Sequence, residues 1–155
     1  MQHKVYILTG VIQTGKTTSL MQWCESKEHV QGILTPVIDG KRMFKDIAAK
    51  EMFAMEAGER ETNVLKVGRF IFSVPAFSKA EQIINGSTNY SYLIIDEVGP
   101  LELRREGLFA AVHQALQNQT SPIILVVREG LVDKTTAFFN IKDPIIITKT
   151  ALGLL

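Results

Sequence analysis

The sequence predicts a three-layer α/β fold, a mainly parallel sheet between helices with an antiparallel hairpin extension. Three observations predict it. Four short, nearly continuous apolar runs, Val5–Leu8, 92–95, Ile123–Val127 and Ile145–Ile147, have the pattern of strands buried on both faces. Stretches with helical spacing lie between several of them, and strand–helix–strand alternation implies right-handed layering about a parallel sheet. Finally, Asp39-Gly40 stands between two strand-like runs, a strong two-residue hairpin signal.

The first run leads to a helical stretch at 17–26, where Cys24 keeps helical spacing with Leu20 and Trp23. The region from about 33 to 72 differs. It holds the Asp39-Gly40 hairpin and short strand patterns at 52–55 and 66–72, and reads as an antiparallel insertion between two helices. The next helix is expected at 77–85, with Ala80, Ile83 and Ile84 on one side. A third, at 106–117, spaces Leu108, Val112, Ala115 and Leu116 for a buried face, and a short helix near 131–138 precedes the last run. No Pro/Gly/Ser-rich linker, internal repeat or low-complexity tract divides the chain, so 1–155 reads as one domain.

Composition narrows the function. The 155 residues are 46% hydrophobic and 21% charged, enough for a full core. A formal net charge of +1 supplies no broad basic field, so a nucleic-acid partner is not evident. The longest apolar runs are about five or six residues, against roughly 20 for a membrane span. The start of the chain enters a strand without a signal-peptide pattern, so the cytoplasm is the expected compartment. Cys24 is the only cysteine, which excludes an intramolecular disulfide, and its spacing marks it as a packing residue. His3, His29 and His113 have no metal-ligand spacing and read as surface or satisfied residues. Nothing in the pattern fixes an oligomeric state.

Two motifs carry chemistry. Gly10, Val11, Ile12, Gln13, Thr14, Gly15, Lys16 and Thr17 fit G-x-x-x-x-G-K-[ST] between an apolar strand and a helix. Glycines let backbone N–H groups approach a polyphosphate, and the start of the helix adds unpaired amides and a positive dipole end. With Thr18, these residues form the expected phosphate cradle; Lys16 reaches the terminal phosphates and the Thr17 hydroxyl binds Mg²⁺. The second motif is the apolar run 92–95 ending in Asp96 and Glu97. Parallel strands present ligand groups at their carboxyl ends, so Asp96 is expected near the Mg²⁺ of Thr17, through water. Glu97 faces elsewhere and is the candidate to orient or deprotonate an attacking water.

These segments give the chain a specific likeness. It resembles the THEP1-type nucleoside-triphosphatase family in the P-loop 10–17, in Gly32-Ile33-Leu34-Thr35 through Asp39-Gly40-Lys41-Arg42, in Val67-Gly68-Arg69-Phe70, and in Asp96-Glu97-Val98-Gly99-Pro100-Leu101-Glu102-Leu103. The last run is the most discriminating. The resemblance implies a RecA-like P-loop NTPase fold with additional strands, Mg²⁺ dependence, and broad use of ATP, GTP and other nucleoside triphosphates. Three features depart from the family pattern. Gln13 stands where family loops usually carry glycine, 147–150 lacks an Asn-Arg pair, and the hairpin is poorer in glycine and arginine.

Hydrolysis of a nucleoside triphosphate to diphosphate and phosphate is the leading reading, with Lys16 and Glu97 as catalytic residues. A small-molecule or nucleotide kinase is the runner-up, although no Arg-rich lid is visible between 107 and 128. A nucleotide-gated binding module is the third. Glu102 reads equally as a ligand-supporting residue or as a structural cap or surface ion pair. Arg104, Arg105, Arg69 and Arg128 are candidate phosphate contacts against a default of solvated charge. Asn140-Ile141-Lys142-Asp143 has the wrong order for a guanine-reading motif and receives no role.

Overall fold

The structure, a computed structural model, describes residues 4–10, 15–118 and 120–155. Val11, Ile12, Gln13 and Thr14 of the expected phosphate loop, and His3, lie outside the described residues.

The chain runs β1 (Val5–Leu8), α1 (Lys16–Glu25), β2 (Val30–Leu34), β3 (Val37–Ile38), β4 (Lys41–Asp46), β5 (Glu51–Ala54), β6 (Val64–Val67), β7 (Phe70–Ser73) and α2 (Val74–Asn85). It continues with β8 (Tyr92–Val98), α3 (Phe109–Asn118), β9 (Ile123–Val127), α4 (Val132–Phe138) and β10 (Ile145–Ile147). The main sheet has the order β10-β1-β9-β8-β2-β4-β3. Its first five strands are mutually parallel; β4 then pairs antiparallel with β2, β3 and β5.

Strand alternation sorts the apolar runs onto two faces. Val5, Ile7, Leu93, Ile95, Ile123, Leu125 and Val127 pack on one side with Ala80 and Ile84 of α2 and with Ala111 and Val112 of α3. Tyr6, Leu8, Ile94, Ile124 and Val126 pack on the other with Leu20 and Trp23 of α1 and with Leu152. Both faces are therefore covered, as the continuous apolar runs require. No helix among the described residues is long and apolar enough to cross a membrane.

Several elements differ from the sequence reading. β2 is an inner parallel strand, pairing with β8 from Val30↔Tyr92 to Ile33↔Ile95, so antiparallel pairing begins on its other side, with β4. Gly32 permits this contact: at φ +111 its backbone lies where any Cβ would collide with the Ile94 carbonyl. The expected strand at 66–72 is two strands, because Gly68 (φ +58) and Arg69 turn the chain between β6 and β7. That ribbon is a separate two-stranded sheet rather than part of the extension. Helix α2 starts at Val74, not 77, because the Ser73 hydroxyl accepts the Ala76 amide at 3.2 Å and Pro75 suits a first helical turn. Helix α3 starts at Phe109, not 106; Gly107 has φ +61 and the Leu108 amide is held by the Glu102 side chain instead.

Candidate active site

The carboxyl ends of β1, β8, β9 and β2 converge on the start of α1. Gly15 is its N-cap, in the left-handed region at φ 80 and ψ 28, and its carbonyl accepts the Ser19 amide at 2.9 Å. The first-turn amides of a helix have no intrahelical acceptor. No acidic residue of α1 itself occupies this first turn. Lys16 is only 9% exposed, and its Nζ donates to the Gly10 carbonyl at 3.2 Å. Thr18 and Gly15 are exposed at the helix start. A further cation stands here that the sequence did not mark: Lys149 Nζ lies 3.9 Å from where a Cβ on Gly15 would sit.

Alternation along β8 puts Asp96 on the same face as Ile94, the α1 face. The Thr17 hydroxyl donates to Asp96 Oδ2 at 2.8 Å, and the Thr35 amide donates to the same oxygen at 3.2 Å. The structure thus brings together two motifs 79 positions apart. Asp96 is 1% exposed. Burial foremost, then the Glu97 charge, push its carboxyl up to about 6, while the Thr17 and Thr35 bonds pull the other way. A divalent cation beside this oxygen pair would offset the burial cost. The donors are hard oxygens, and among the described residues no group of three or more His, Cys, Asp or Glu forms a metal cage. A hydroxyl, one carboxylate and room for water and phosphate oxygens are what Mg²⁺ takes. The residues fit the ion.

Beyond Asp96 the ladder to β9 shifts register between Asp96 and Val98, leaving Glu97 out of the pairing. Glu97 therefore stands between two cavities. One, of about 550 Å³, runs along Gly15, Lys16, Thr17, Thr18 and Asp96. The other, of about 290 Å³, lies among Phe44, Phe70, Phe72 and Phe77. Thr35, Arg42, Glu97 and Arg128 line both. Arg128 follows the last residue of β9, and its buried Nε has no hydrogen-bond partner among the described residues.

The remaining candidates separate cleanly. Glu102, 3% exposed, accepts the Gly99 amide at 2.8 Å and the Leu108 amide at 2.9 Å, so it holds the loop after β8 closed on itself. Burial lifts its carboxyl to about 7 despite those bonds. Arg104 pairs with Glu106 at 3.5 Å, and the Arg105 guanidinium lies over the Phe109 and Phe138 rings. Neither lines the cavity beside the start of α1. Arg69 lies over the Phe70 ring at the mouth of the smaller cavity. His29 and His113 are exposed, and burial raises the Cys24 thiol to about 12, which suits a packing role.

Comparison with known proteins agrees with this architecture. A family model described as NTPase matches residues 5–147. The nucleoside-triphosphatase THEP1 of Hyperthermus butylicus is 28% identical over 141 residues, covering 84% of this chain and 74% of that protein. The crystal structure of THEP1 from the hyperthermophile Aquifex aeolicus superposes with a TM-score of 0.78 at 18% identity, over 97% of this chain and 96% of that one. The solution structure of a human cancer-related nucleoside triphosphatase gives 0.72 at 20% identity, over 99% and 94%. These two likenesses carry the P-loop NTPase fold.

Proposed function

The chain belongs to the THEP1-type NTPase family, and on that premise we propose that it hydrolyses ATP, GTP and other nucleoside triphosphates to diphosphate and phosphate in a Mg²⁺-dependent reaction. The observation that carries the proposal is the 2.8 Å bond between the Thr17 hydroxyl and Asp96 Oδ2 beside the start of α1. Phosphate oxygens receive the first-turn amides of α1 and the ammonium of Lys16, which exchanges the Gly10 carbonyl for the nucleotide. Thr17 and Asp96 would hold Mg²⁺, whose charge would stabilise the phosphate oxygens.

Glu97, beside Asp96 at the edge of the cleft, orients the attacking water and takes its proton. Phosphoryl transfer depends mainly on positioning and on charge placed where charge develops. Arg128, whose buried Nε has no hydrogen-bond partner among the described residues, supplies such a charge from the end of β9. Lys149 adds positive potential over Gly15.

Phosphate release measured across ATP, GTP, CTP and UTP with Mg²⁺ tests the reading. Wild type is expected to release phosphate from several bases. Glu97→Gln is expected to retain Mg–nucleotide binding while hydrolysis falls at least about 10²-fold, the usual scale of a lost general base. Equal rates for wild type and Glu97→Gln remove Glu97 from the mechanism.

A further inference from the structure

A single attacking water needs about 30 Å³. The cavity on the far side of Glu97 holds about 290 Å³, near the lower end of small-molecule sites. Its wall is aromatic. Phe70 and Phe72 stack at 5.5 Å with their planes 7° apart, and Phe44 meets Phe77 edge-on at 5.0 Å. Two cations flank Phe70 in its lining. The Arg42 and Arg69 guanidiniums lie 5.0 and 5.1 Å from the Phe70 ring centre. Arg69 borders only this cavity, whereas Glu97 and Arg128 stand where it meets the phosphate cleft. Hydrolysis uses neither the aromatic wall nor Arg69.

We infer that this cavity is an acceptor site for a small aromatic alcohol carrying an anionic group, which takes the terminal phosphoryl group in place of water. The inference rests on the proposed seat of the triphosphate in the neighbouring cleft. The ring packs on the phenylalanine wall, the anion meets Arg69 and Arg42, and the hydroxyl reaches Glu97. The acceptor oxygen forms a bond to the γ-phosphorus as the bond from that phosphorus to the β–γ bridging oxygen breaks. The hydroxyl proton passes to the Glu97 carboxylate, and the nucleoside diphosphate leaves with the bonding pair. Net, an alcohol and a triphosphate become a phosphate ester, a diphosphate and a proton, with no further reactant.

The test measures ADP and inorganic phosphate in parallel from ATP and Mg²⁺, with (hydroxymethyl)benzoates and hydroxyphenylacetates as probes. The expected result is ADP in excess of phosphate with at least one anionic aromatic alcohol, and a matching phosphate ester by mass spectrometry. Val67→Trp, which fills the cavity, is expected to remove that excess. The exposed Arg69→Gln change, which leaves the fold's interior untouched, is expected to raise the acceptor KM about tenfold, one lost charged contact. ADP equal to phosphate with every probe overturns the acceptor site and leaves hydrolysis standing. An excess that survives both substitutions also overturns it. No ADP under any condition overturns the hydrolysis reading, and this inference with it.

Discussion

Replacing Glu102 by Gln should change how stability depends on pH more than any other single substitution in the loop after β8. Glu102 is buried, accepts two backbone amides, and has its carboxyl lifted from 4.5 to about 7, first by burial and last by the Glu97 charge. Its folded pKa lies above its unfolded one. The folded chain thus keeps a proton that the unfolded chain has released between about pH 4.5 and 7. This contribution to stability is full below pH 4.5 and is lost as pH rises through 7. A shift of about 2.5 units corresponds to on the order of 3 kcal/mol. Asp96 titrates in the same sense, so the wild-type slope contains both groups. Subtracting the variant curve isolates Glu102. Glutamine has one acceptor oxygen for two amides, which costs about 1–3 kcal/mol at pH 5. Urea unfolding at pH 5, 6, 7 and 8 is the assay. Glu102→Gln should be less stable at pH 5, and the gap should close or reverse by pH 8. Parallel curves over the whole range would refute the reasoning, because they would mean that Glu102 ionises alike in both states.

Two further outcomes follow from single contacts. Arg128→Ala should lower kcat for nucleoside-triphosphate hydrolysis by about 10² or more, the scale of a lost transition-state charge, with a smaller change in KM; steady-state phosphate release checks it, and an unchanged kcat removes Arg128 from the transition state. Gly32→Ala should destabilise the chain by about 2–5 kcal/mol, since the new methyl must displace the Ile94 carbonyl at a backbone angle that suits glycine. Its urea midpoint should fall accordingly, and a loss under about 0.5 kcal/mol would contradict the close approach of β2 to β8.

The inner strands that carry the motifs were legible because burial on both faces demands an unbroken apolar run, as in Val5–Leu8. β2 is equally interior, but Gln31 and Gly32 interrupt its run. Gly32 is there for a backbone contact with Ile94, which leaves no local signature. The start of α2 was announced by Ser73 and Pro75, a cap signal that apolar spacing alone overlooks. Gly68 splits the expected strand at 66–72 because a turn needs only one such residue to reverse a short strand. The approach of Thr17 to Asp96 was legible from strand-end logic, and the structure sets the hydroxyl 2.8 Å from Asp96 Oδ2. Lys149 over Gly15 and the aromatic cavity behind Glu97 were not. Both arise from residues distant in sequence whose proximity only the folded chain creates. Glu102 was left between two roles, and its bonds to Gly99 and Leu108 make it the cap of its loop.

The central claim is that Thr17 and Asp96 hold one hydrated Mg²⁺ beneath a triphosphate seated at the start of α1. Calorimetric titration with a non-hydrolysable ATP analogue, with and without Mg²⁺, tests it on wild type, Thr17→Val and Asp96→Asn. The account predicts that Mg²⁺ tightens binding to wild type and that either substitution abolishes most of this tightening. Equal tightening in all three proteins would contradict it.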